Sequence, residues 1–189
     1  MRSVVRHTFA VDEMVLRFVN ALARSEVIAT TGWFLSSRWV LLLVFGMLGG
    51  VLLYRRRFVA VLTVALAAGG ADALTARVLK PVFDRERPCR ELEGLVVVAP
   101  CGVGKSFPSG HAAVSFAVLT SAAPLIRFGW WMLAPLAVSV AGSRVLLGVH
   151  YPSDVLWGAF LGASMGWGMT FLRKRYEHAR PLRKSGMNE

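Results

Sequence analysis

The sequence predicts an all-α integral-membrane protein, a bundle of about five transmembrane helices preceded by an amphipathic helix at the membrane interface. Hydrophobic residues make up 55% of the 189 residues and the mean hydropathy is +0.53, whereas soluble domains average about 45–50% apolar residues. Apolar stretches long enough to cross a bilayer recur along the chain. The length predicts a single domain covering residues 1–189.

The predicted interfacial helix covers residues 11–31. Its apolar residues share one broad face at helical spacing, and charged residues occupy the rest. That face comprises Val11, Met14, Val15, Phe18, Val19, Leu22 and Val27. Charged Asp12 and Glu13 leave no apolar core for a signal peptide, so we expect no removable signal.

Five spans are predicted after this helix, at residues 39–54, 58–79, 112–126, 130–149 and 155–172. The last two are rich in Gly, Ala and Ser, which let helices approach closely in lipid, so we expect them inside the bundle. Gly158–Gly162 has a small-xxx-small spacing, interpreted as internal packing. Asp72 and Arg77 interrupt the second span, and we expect them to pair or to face the bundle.

The basic clusters beside the spans predict the orientation. Arg55–Arg57, Arg127 and Arg173–Arg175 fall on one side, which we assign to the cytoplasm by the positive-inside rule. Only these short-loop clusters carry the signal, because all basic residues summed give no cytoplasmic excess. The tail, residues 173–189, is expected to be solvated and partly disordered on that side, and the loop at residues 80–111 to face outward.

The net charge of +11 raises nucleic acid as an alternative partner. The basic residues, however, lie at span ends and in polar motifs, and they form no continuous basic helix face. Membrane topology and an anionic substrate explain them better, so no nucleic-acid partner is expected.

Three polar clusters lie at the ends of predicted spans: Lys80–Pro88 (KPVFDRERP), Pro108–His111 (PSGH) and Ser143–Asp154 (SRVLLGVHYPSD). Counting the spans puts all three on one side of the membrane. The sequence therefore predicts a single site, built from residues 80–154, at the membrane surface.

The residue types in these clusters suit a phosphoryl group, whose negative oxygens need fixed cations and N–H donors. Lys80, Arg87 and Arg144 supply cations, and arginine binds phosphate in bidentate fashion. The turn at Ser109–Gly110 offers a hydroxyl and backbone N–H groups, and a helix starting at His111 would direct its N-terminal dipole toward the anion.

Two histidines suit the nucleophilic and proton-transfer tasks. Asp154 follows His150 by four residues, so it can accept a hydrogen bond from one ring nitrogen and leave the other free to attack phosphorus.

These clusters resemble the tripartite signature of the type 2 phosphatidic acid phosphatase superfamily, K-x6-R-P, P-S-G-H and S-R-x5-H-x3-D, at every defining position. The layout resembles the small bacterial membrane members, including the bacitracin-resistance-type undecaprenyl diphosphate phosphatases. The resemblance implies that His150 forms a phosphohistidine, that Asp154 orients it, and that His111 protonates the leaving oxygen and then activates water. The implied phosphate-binding residues are Lys80, Arg87, Ser109, Gly110 and Arg144. No metal or other cofactor is implied.

The expected function is a lipid phosphate phosphatase of a bacterial cytoplasmic membrane, with its site facing outward. By analogy, undecaprenyl diphosphate is the favoured substrate, converted to undecaprenyl phosphate. Phosphatidate, phosphatidylglycerophosphate and lipid A phosphates remain alternatives, because fold analogy selects substrates weakly. A non-enzymatic membrane scaffold is the less favoured second hypothesis.

Residues 99–106 (APCGVGKS) nearly match a nucleotide-binding P-loop. We reject that interpretation because Pro108 prevents the required helix, no βαβ pattern exists, and Ala99 stands at the first glycine. A flexible loop leading into the PSGH cluster is favoured instead.

The remaining polar residues are predicted to lie outside the site. Cys89 and Cys101 lie in the outward loop, where a disulfide and two free thiols are both open. His7 and His178 are expected to be structural. Residues 84–86 are interpreted as a solvated turn, and contact of Arg85 with a lipid head group stays open as an alternative.

Overall fold

The computed structural model describes the backbone of residues 2–185 and the side chains of residues 10–37 and 39–179. The prediction for the His7 side chain therefore lies outside the described residues. The structure is helical throughout its regular elements. The helices are α1 (Arg2–Ala21), α2 (Glu26–Leu35), α3 (Arg38–Tyr54), α4 (Phe58–Ala73), α5 (Lys80–Phe83), α6 (Pro88–Glu91), α7 (Gly110–Ala122), α8 (Gly129–Leu146) and α9 (Pro152–Ser185).

Helices occur at all five predicted spans. Within the described residues, the segments Phe58–Glu91 and Pro152–Ala179 are long and apolar enough to cross a membrane. A third candidate is the pair Glu26–Leu35 and Trp39–Tyr54, bent by 45° at its break. If this pair forms one span, α2 contributes to it together with α3.

The N-terminal helix differs from the prediction in its bounds. It begins at Arg2 rather than at residue 11, and a short turn at Leu22–Arg24 ends it. Ser25 is extended, with φ −76° and ψ 118°, and Glu26 starts α2. A negative charge in the first turn favours a new helix there, so the single helix predicted over residues 11–31 is two helices.

Helix α1 turns its polar face inward. Asp12, Leu16 and Asn20, four residues apart, are buried, whereas Met14 and Phe18 are exposed. The apolar face found in the sequence is therefore directed away from the protein, as a helix at a lipid surface requires.

Glycines bring α9 against α7. A Cβ on Gly158 would lie 2.4 Å from the Ser109 carbonyl oxygen, and one on Gly162 would lie 2.0 Å from that of Ala113. The small-xxx-small spacing is thus used for internal packing, as predicted. Gly142 and Gly168 have no such neighbour within 4 Å, so not every small residue in the last two spans serves close contact.

The C-terminal tail continues α9 as far as Ser185, and residues 186–189 lie outside the described part. The prediction of partial disorder is wrong for the residues up to 185. Arg173 and Glu177 form an i,i+4 ion pair at 3.3 Å, and this helix-favouring spacing extends the span into solvent.

Candidate active site

The three polar clusters meet at one end of the helical bundle. Lys80 begins α5, after a π-helical turn at Leu74–Leu79 that continues α4. The other predicted site residues stand at helix ends or in the joining loops: Arg87 before α6, Ser109, Gly110 and His111 at the start of α7, Arg144 in the last turn of α8, His150 before α9, and Asp154 in its first turn.

The ring of His150 lies between a carboxylate and a guanidinium group. Its Nδ1 is 3.4 Å from Oδ2 of Asp154, and its Nε2 is 3.2 Å from Nη1 of Arg87. Both His150 and Asp154 are buried, with exposures of 2% and 0%. The i,i+4 relation expected from the sequence is therefore realised across the start of α9.

These contacts define the tautomer of His150. Arginine only donates hydrogen bonds, so Nε2 must present its lone pair to Arg87. The proton of the neutral ring then lies on Nδ1, facing Asp154. Nε2 is the nitrogen that remains nucleophilic.

Burial lowers the pKa of His150 to about 4, although the hydrogen bond to Asp154 acts in the opposite direction. The desolvation of a charged ring outweighs the attraction of the carboxylate. The imidazole is therefore neutral at neutral pH, the form a nucleophile requires.

The ring of His111 lies near three cationic side chains and the ring of His150. It lies within electrostatic reach of Arg144, His150, Lys80 and Arg87. The two histidines are thus on the same end of the molecule, as the convergence of the motifs predicted.

Two buried donors in this region, Ser109 Oγ and Arg144 Nε, have no hydrogen-bond partner within the described part of the chain. Arg144 uses Nη1 to bind Ser36 Oγ at 3.0 Å. Unpaired buried polar groups are costly, and hydroxyl and guanidinium groups are what an anion would pair with.

The start of α7 adds backbone donors. The first intrahelical bond at this end runs from Ala113 N to the Ser109 carbonyl at 3.0 Å. The N–H groups of residues 110–112 precede that bond and have no intrahelical acceptor. Such a helix N-terminus attracts anions.

Ser106 is a site residue that the sequence prediction missed. Its hydroxyl donates to Asp154 Oδ2 and lies 3.5 Å from Nδ1 of His150. Tyr151 N also donates to Asp154 Oδ2, at 2.9 Å. In the sequence, Ser106 is the last residue of the segment that nearly matches a P-loop. Only its position two residues before the PSGH cluster indicated that it could belong to the site.

Arg85 is a second residue of the site that the sequence prediction placed elsewhere. Its side chain is 15% exposed and its Nη1 donates to Asp154 Oδ1 at 2.9 Å. Its guanidinium carbon lies 3.9 Å from the centre of the Tyr151 ring, a cation–π contact. The solvated-turn prediction holds for Asp84, which is 72% exposed, and it is wrong for Arg85, because the carboxylate of Asp154 draws this side chain inward.

Helix α1 reaches the same network. Asp12 accepts from Arg85 Nη2 at 2.8 Å and from Ser153 N at 2.9 Å. Asn20 bonds the Val96 and Leu146 carbonyls at 2.9 and 2.8 Å. No motif contains Asp12 or Asn20. Their inward direction is indicated only by their separation of eight residues, which puts both on one face of the helix.

The loop before α7 is held by the site rather than free. Arg87 Nε donates to the Gly104 carbonyl at 2.7 Å, and Lys105 pairs with Asp84 at 2.8 Å. Residues 99–106 form neither a strand nor a helix, as the rejection of a P-loop requires. Cys89 and Cys101 are joined in a disulfide, with Cα atoms 6.1 Å apart.

The two ionisable residues that interrupt the second span differ in direction. Both are exposed, but Asp72 Oδ1 would lie 3.9 Å from a Cβ on Gly110 and is within electrostatic reach of Lys80, so Asp72 faces the start of α7. The packing interpretation is therefore wrong for Arg77. Position along α4 and its π-helical extension, which the sequence does not reveal, decides which side they face.

Comparison with known proteins places this site in a family context. A profile of the PAP2 superfamily matches residues 57–177, which include every motif residue. The lipid A 4'-phosphatase of Bacteroides thetaiotaomicron is 32% identical over 119 residues, 59% of this chain and 53% of that protein. The decaprenylphosphoryl-5-phosphoribose phosphatase of Mycobacterium tuberculosis is 36% identical over 130 residues, 66% of this chain and 67% of that protein.

A solved structure extends the likeness to the fold. The transmembrane PAP2 type phosphatidylglycerolphosphate phosphatase from Bacillus subtilis superposes with a TM-score of 0.70 at 25% identity, covering 92% of this chain and 87% of that chain. The predicted all-α membrane fold is confirmed. The match spans about half the length of the Bacteroides protein and two thirds of the mycobacterial one.

Proposed function

Because the chain belongs to the PAP2 superfamily of lipid phosphatases, we propose that it releases phosphate from a lipid by way of a phosphohistidine at His150. The observation that carries the proposal is the ring of His150, fixed between Asp154 and Arg87 with Nε2 unprotonated. A neutral, buried and oriented imidazole is suited to nucleophilic attack.

In the first step, the lone pair of His150 Nε2 attacks phosphorus, and the bond from phosphorus to the lipid oxygen breaks. His111 gives its proton to that oxygen, since the charge of the bound phosphate stabilises its imidazolium form. The phosphorylated ring of His150 is positively charged, and the carboxylate of Asp154 stabilises it.

In the second step, neutral His111 takes a proton from water, and the resulting hydroxide attacks phosphorus. The N–P bond breaks, the electron pair returns to His150, and inorganic phosphate leaves. Arg87, Arg144 and Lys80 with the α7 N-terminus offset the charge on the phosphoryl oxygens in both steps. Ser109 Oγ and Arg144 Nε, which have no hydrogen-bond partner among the described residues, pair with the phosphoryl oxygens.

Trapping the intermediate tests this mechanism. Substrate labelled in the transferred phosphate should leave label on the protein that is stable to alkali and lost in acid. His150→Ala should abolish both label and phosphate release, whereas His178→Ala, an exposed histidine on α9, should change neither. In His111→Ala, label from a diphosphate substrate should accumulate, because the second step lacks its base. Full release by His150→Ala would overturn the mechanism.

We propose a polyprenyl-linked phosphate as the substrate, with undecaprenyl diphosphate as the specific candidate. A relative named for a decaprenyl-linked substrate supports this class. A detergent assay should compare undecaprenyl diphosphate with phosphatidate, phosphatidylglycerophosphate and lipid A. Preference by kcat/KM for any of the last three would assign the substrate to that class instead. Undiminished release in EDTA is the expected result for a metal-independent reaction.

We further propose that the site faces outward from a bacterial cytoplasmic membrane. The helix ends that carry Arg55–Arg57 and Arg173–Arg175 lie opposite the catalytic end, which supports the positive-inside assignment. Val103 in the catalytic-end loop is 99% exposed. Val103→Cys should react with a membrane-impermeant maleimide in intact cells, and reaction only after permeabilisation would reverse the orientation.

A further inference from the structure

A second cationic cavity lies at the end of the bundle opposite the catalytic site. It has a volume of about 610 Å³ and lies between the start of α4 and the last part of α9. Its lining comprises Arg56, Arg57, Phe58, Val59, Ala60, Arg173, Tyr176 and Glu177.

Helix geometry places this cavity across the membrane from the catalytic residues. Phe58 and Lys80 are separated by roughly 33 Å along the helix, and Asp154 and Arg173 by roughly 29 Å, at 1.5 Å per residue. Both lengths match the hydrocarbon thickness of about 30 Å. The cavity therefore lies at the other membrane–water boundary and is separate from the site of hydrolysis.

The cavity has the donors of an anion site. Three arginines line it against one acid, Glu177, which accepts from Arg173 Nη1 at 3.3 Å. Helix α4 starts here, with Arg57 as its N-cap and no side-chain cap bond. The N–H groups of its first turn and its dipole favour a negative group in the cavity.

Arg173 supplies independent evidence for a ligand in the cavity. Its side chain is 10% exposed, and its buried Nε has no hydrogen-bond partner among the residues whose side chains are described. A buried guanidinium donor without an acceptor is costly, and phosphate is the group whose geometry matches the guanidinium edge.

Arg56 occupies a backbone position that favours glycine. Its φ is +54°, and the bonds from Arg57 N to the Leu52 carbonyl and from Arg56 N to the Leu53 carbonyl close α3 in a Schellman turn. Glycine is the usual residue there because it has no Cβ. An arginine at this position brings a guanidinium to the cavity at the expense of backbone strain.

An apolar stripe leads from the cavity into the membrane. Phe58, Leu62 and Leu66, four residues apart on α4, are 65%, 58% and 49% exposed. A phosphate in the cavity would thus continue naturally into an acyl chain on this stripe.

We propose that this cavity binds the phosphate of an anionic phospholipid from the leaflet opposite the catalytic site. The phosphate pairs with Arg173, Arg56 and the first turn of α4, and the acyl chains lie along the exposed face of α4. The lipid links the α3–α4 turn to the end of α9 and thereby stabilises the bundle.

The test measures thermal unfolding of the full chain in detergent during titration with phosphatidylglycerol, with phosphatidylcholine as the neutral lipid. Phosphatidylglycerol should raise the Tm of the wild type by several degrees and phosphatidylcholine should not. Arg173→Gln should lose most of this shift. Arg175→Gln should keep it, because Arg175 contacts Phe171 and does not line the cavity. Both variants keep the catalytic site, so lipid bound there contributes equally.

Arg56→Gly is a second test variant, which keeps the proposal testable if Arg173→Gln does not fold. Glycine relieves the positive φ, so the lipid-free protein should be at least as stable as the wild type, while its response to phosphatidylglycerol should be smaller. Equal responses of Arg173→Gln and Arg175→Gln would overturn the proposal. Inorganic phosphate producing the same shift as the lipid would show a site for free phosphate and would overturn the lipid assignment.

Discussion

Replacing Asp12 with asparagine tests whether the N-terminal helix holds Arg85 and Asp154 in position. Asp12 is 7% exposed and accepts from Arg85 Nη2 at 2.8 Å, while Arg85 Nη1 binds Asp154 at 2.9 Å. Both carboxylate oxygens of Asp12 accept hydrogen bonds, one from Ser153 N and the other from Arg85. In Asp12→Asn, either orientation of the amide therefore places its NH₂ against one of these donors. Arg85 then keeps only one of its two carboxylate partners.

The size of the effect follows from burial. Breaking a buried ion pair costs about 3–5 kcal/mol when the other charge is left unpaired. Arg85 retains Asp154, so we expect about 2–3 kcal/mol, which lowers Tm by roughly 5–10 °C in a protein of this size. Looser positioning of Asp154 should also lower kcat/KM about tenfold, equivalent to about 1.4 kcal/mol.

Glu13→Gln is the matched control, because it removes the same charge from the adjacent residue. Glu13 and its partner Arg17 are 40% and 44% exposed, and such surface pairs contribute about 0–1 kcal/mol. Ser153→Ala removes a hydroxyl that bonds both Asp12 and Arg85, and a milder effect in the same direction is expected. Equal Tm and equal phosphate release for Asp12→Asn and Glu13→Gln would refute the reasoning.

Three further predictions concern packing, the disulfide and ionisation. Gly162→Ala places a Cβ 2.0 Å from a backbone oxygen and should destabilise by about 1–3 kcal/mol or more in detergent unfolding, whereas Gly168→Ala, with open space, should not. Reductant should lower Tm of the wild type by the equivalent of roughly 3 kcal/mol, and a Cys89→Ser, Cys101→Ser double variant should be insensitive; wild-type protein that reacts with a thiol-blocking reagent before reduction would contradict the bond. In ¹⁵N-histidine NMR spectra, the lowered pKa of about 4 keeps His150 neutral at pH 5, where an ordinary histidine is mostly charged, so a His150 signal that titrates near pH 6.5 would contradict the burial argument.

The sequence predicted the fold class and the meeting of its motifs because both depend on local patterns. Apolar stretches locate the spans, and counting them places Lys80, His111 and His150 on one side. The two histidines do lie at the same end of the molecule. These inferences need only chain order and hydropathy.

The supporting residues escaped prediction because their partners are distant in sequence. Asp12 meets Ser153 across 141 positions, and Ser106 meets Asp154 across 48. Hydropathy classes such polar residues as solvated, whereas burial depends on which helix packs above them. The predicted helix boundaries are wrong at Ser25, where one predicted helix is two, and beyond residue 173, where α9 continues. Local composition locates helix ends poorly.

The docking of α1 has a consequence for how the protein is made. Asn20 binds the Leu146 carbonyl, and Asp12 binds Ser153. Helix α1 is translated before these partners, which the ribosome adds more than a hundred residues later. Docking of α1 is therefore a late event in biogenesis, and in nascent chains that lack Ser153 we expect α1 to rest on the lipid surface alone.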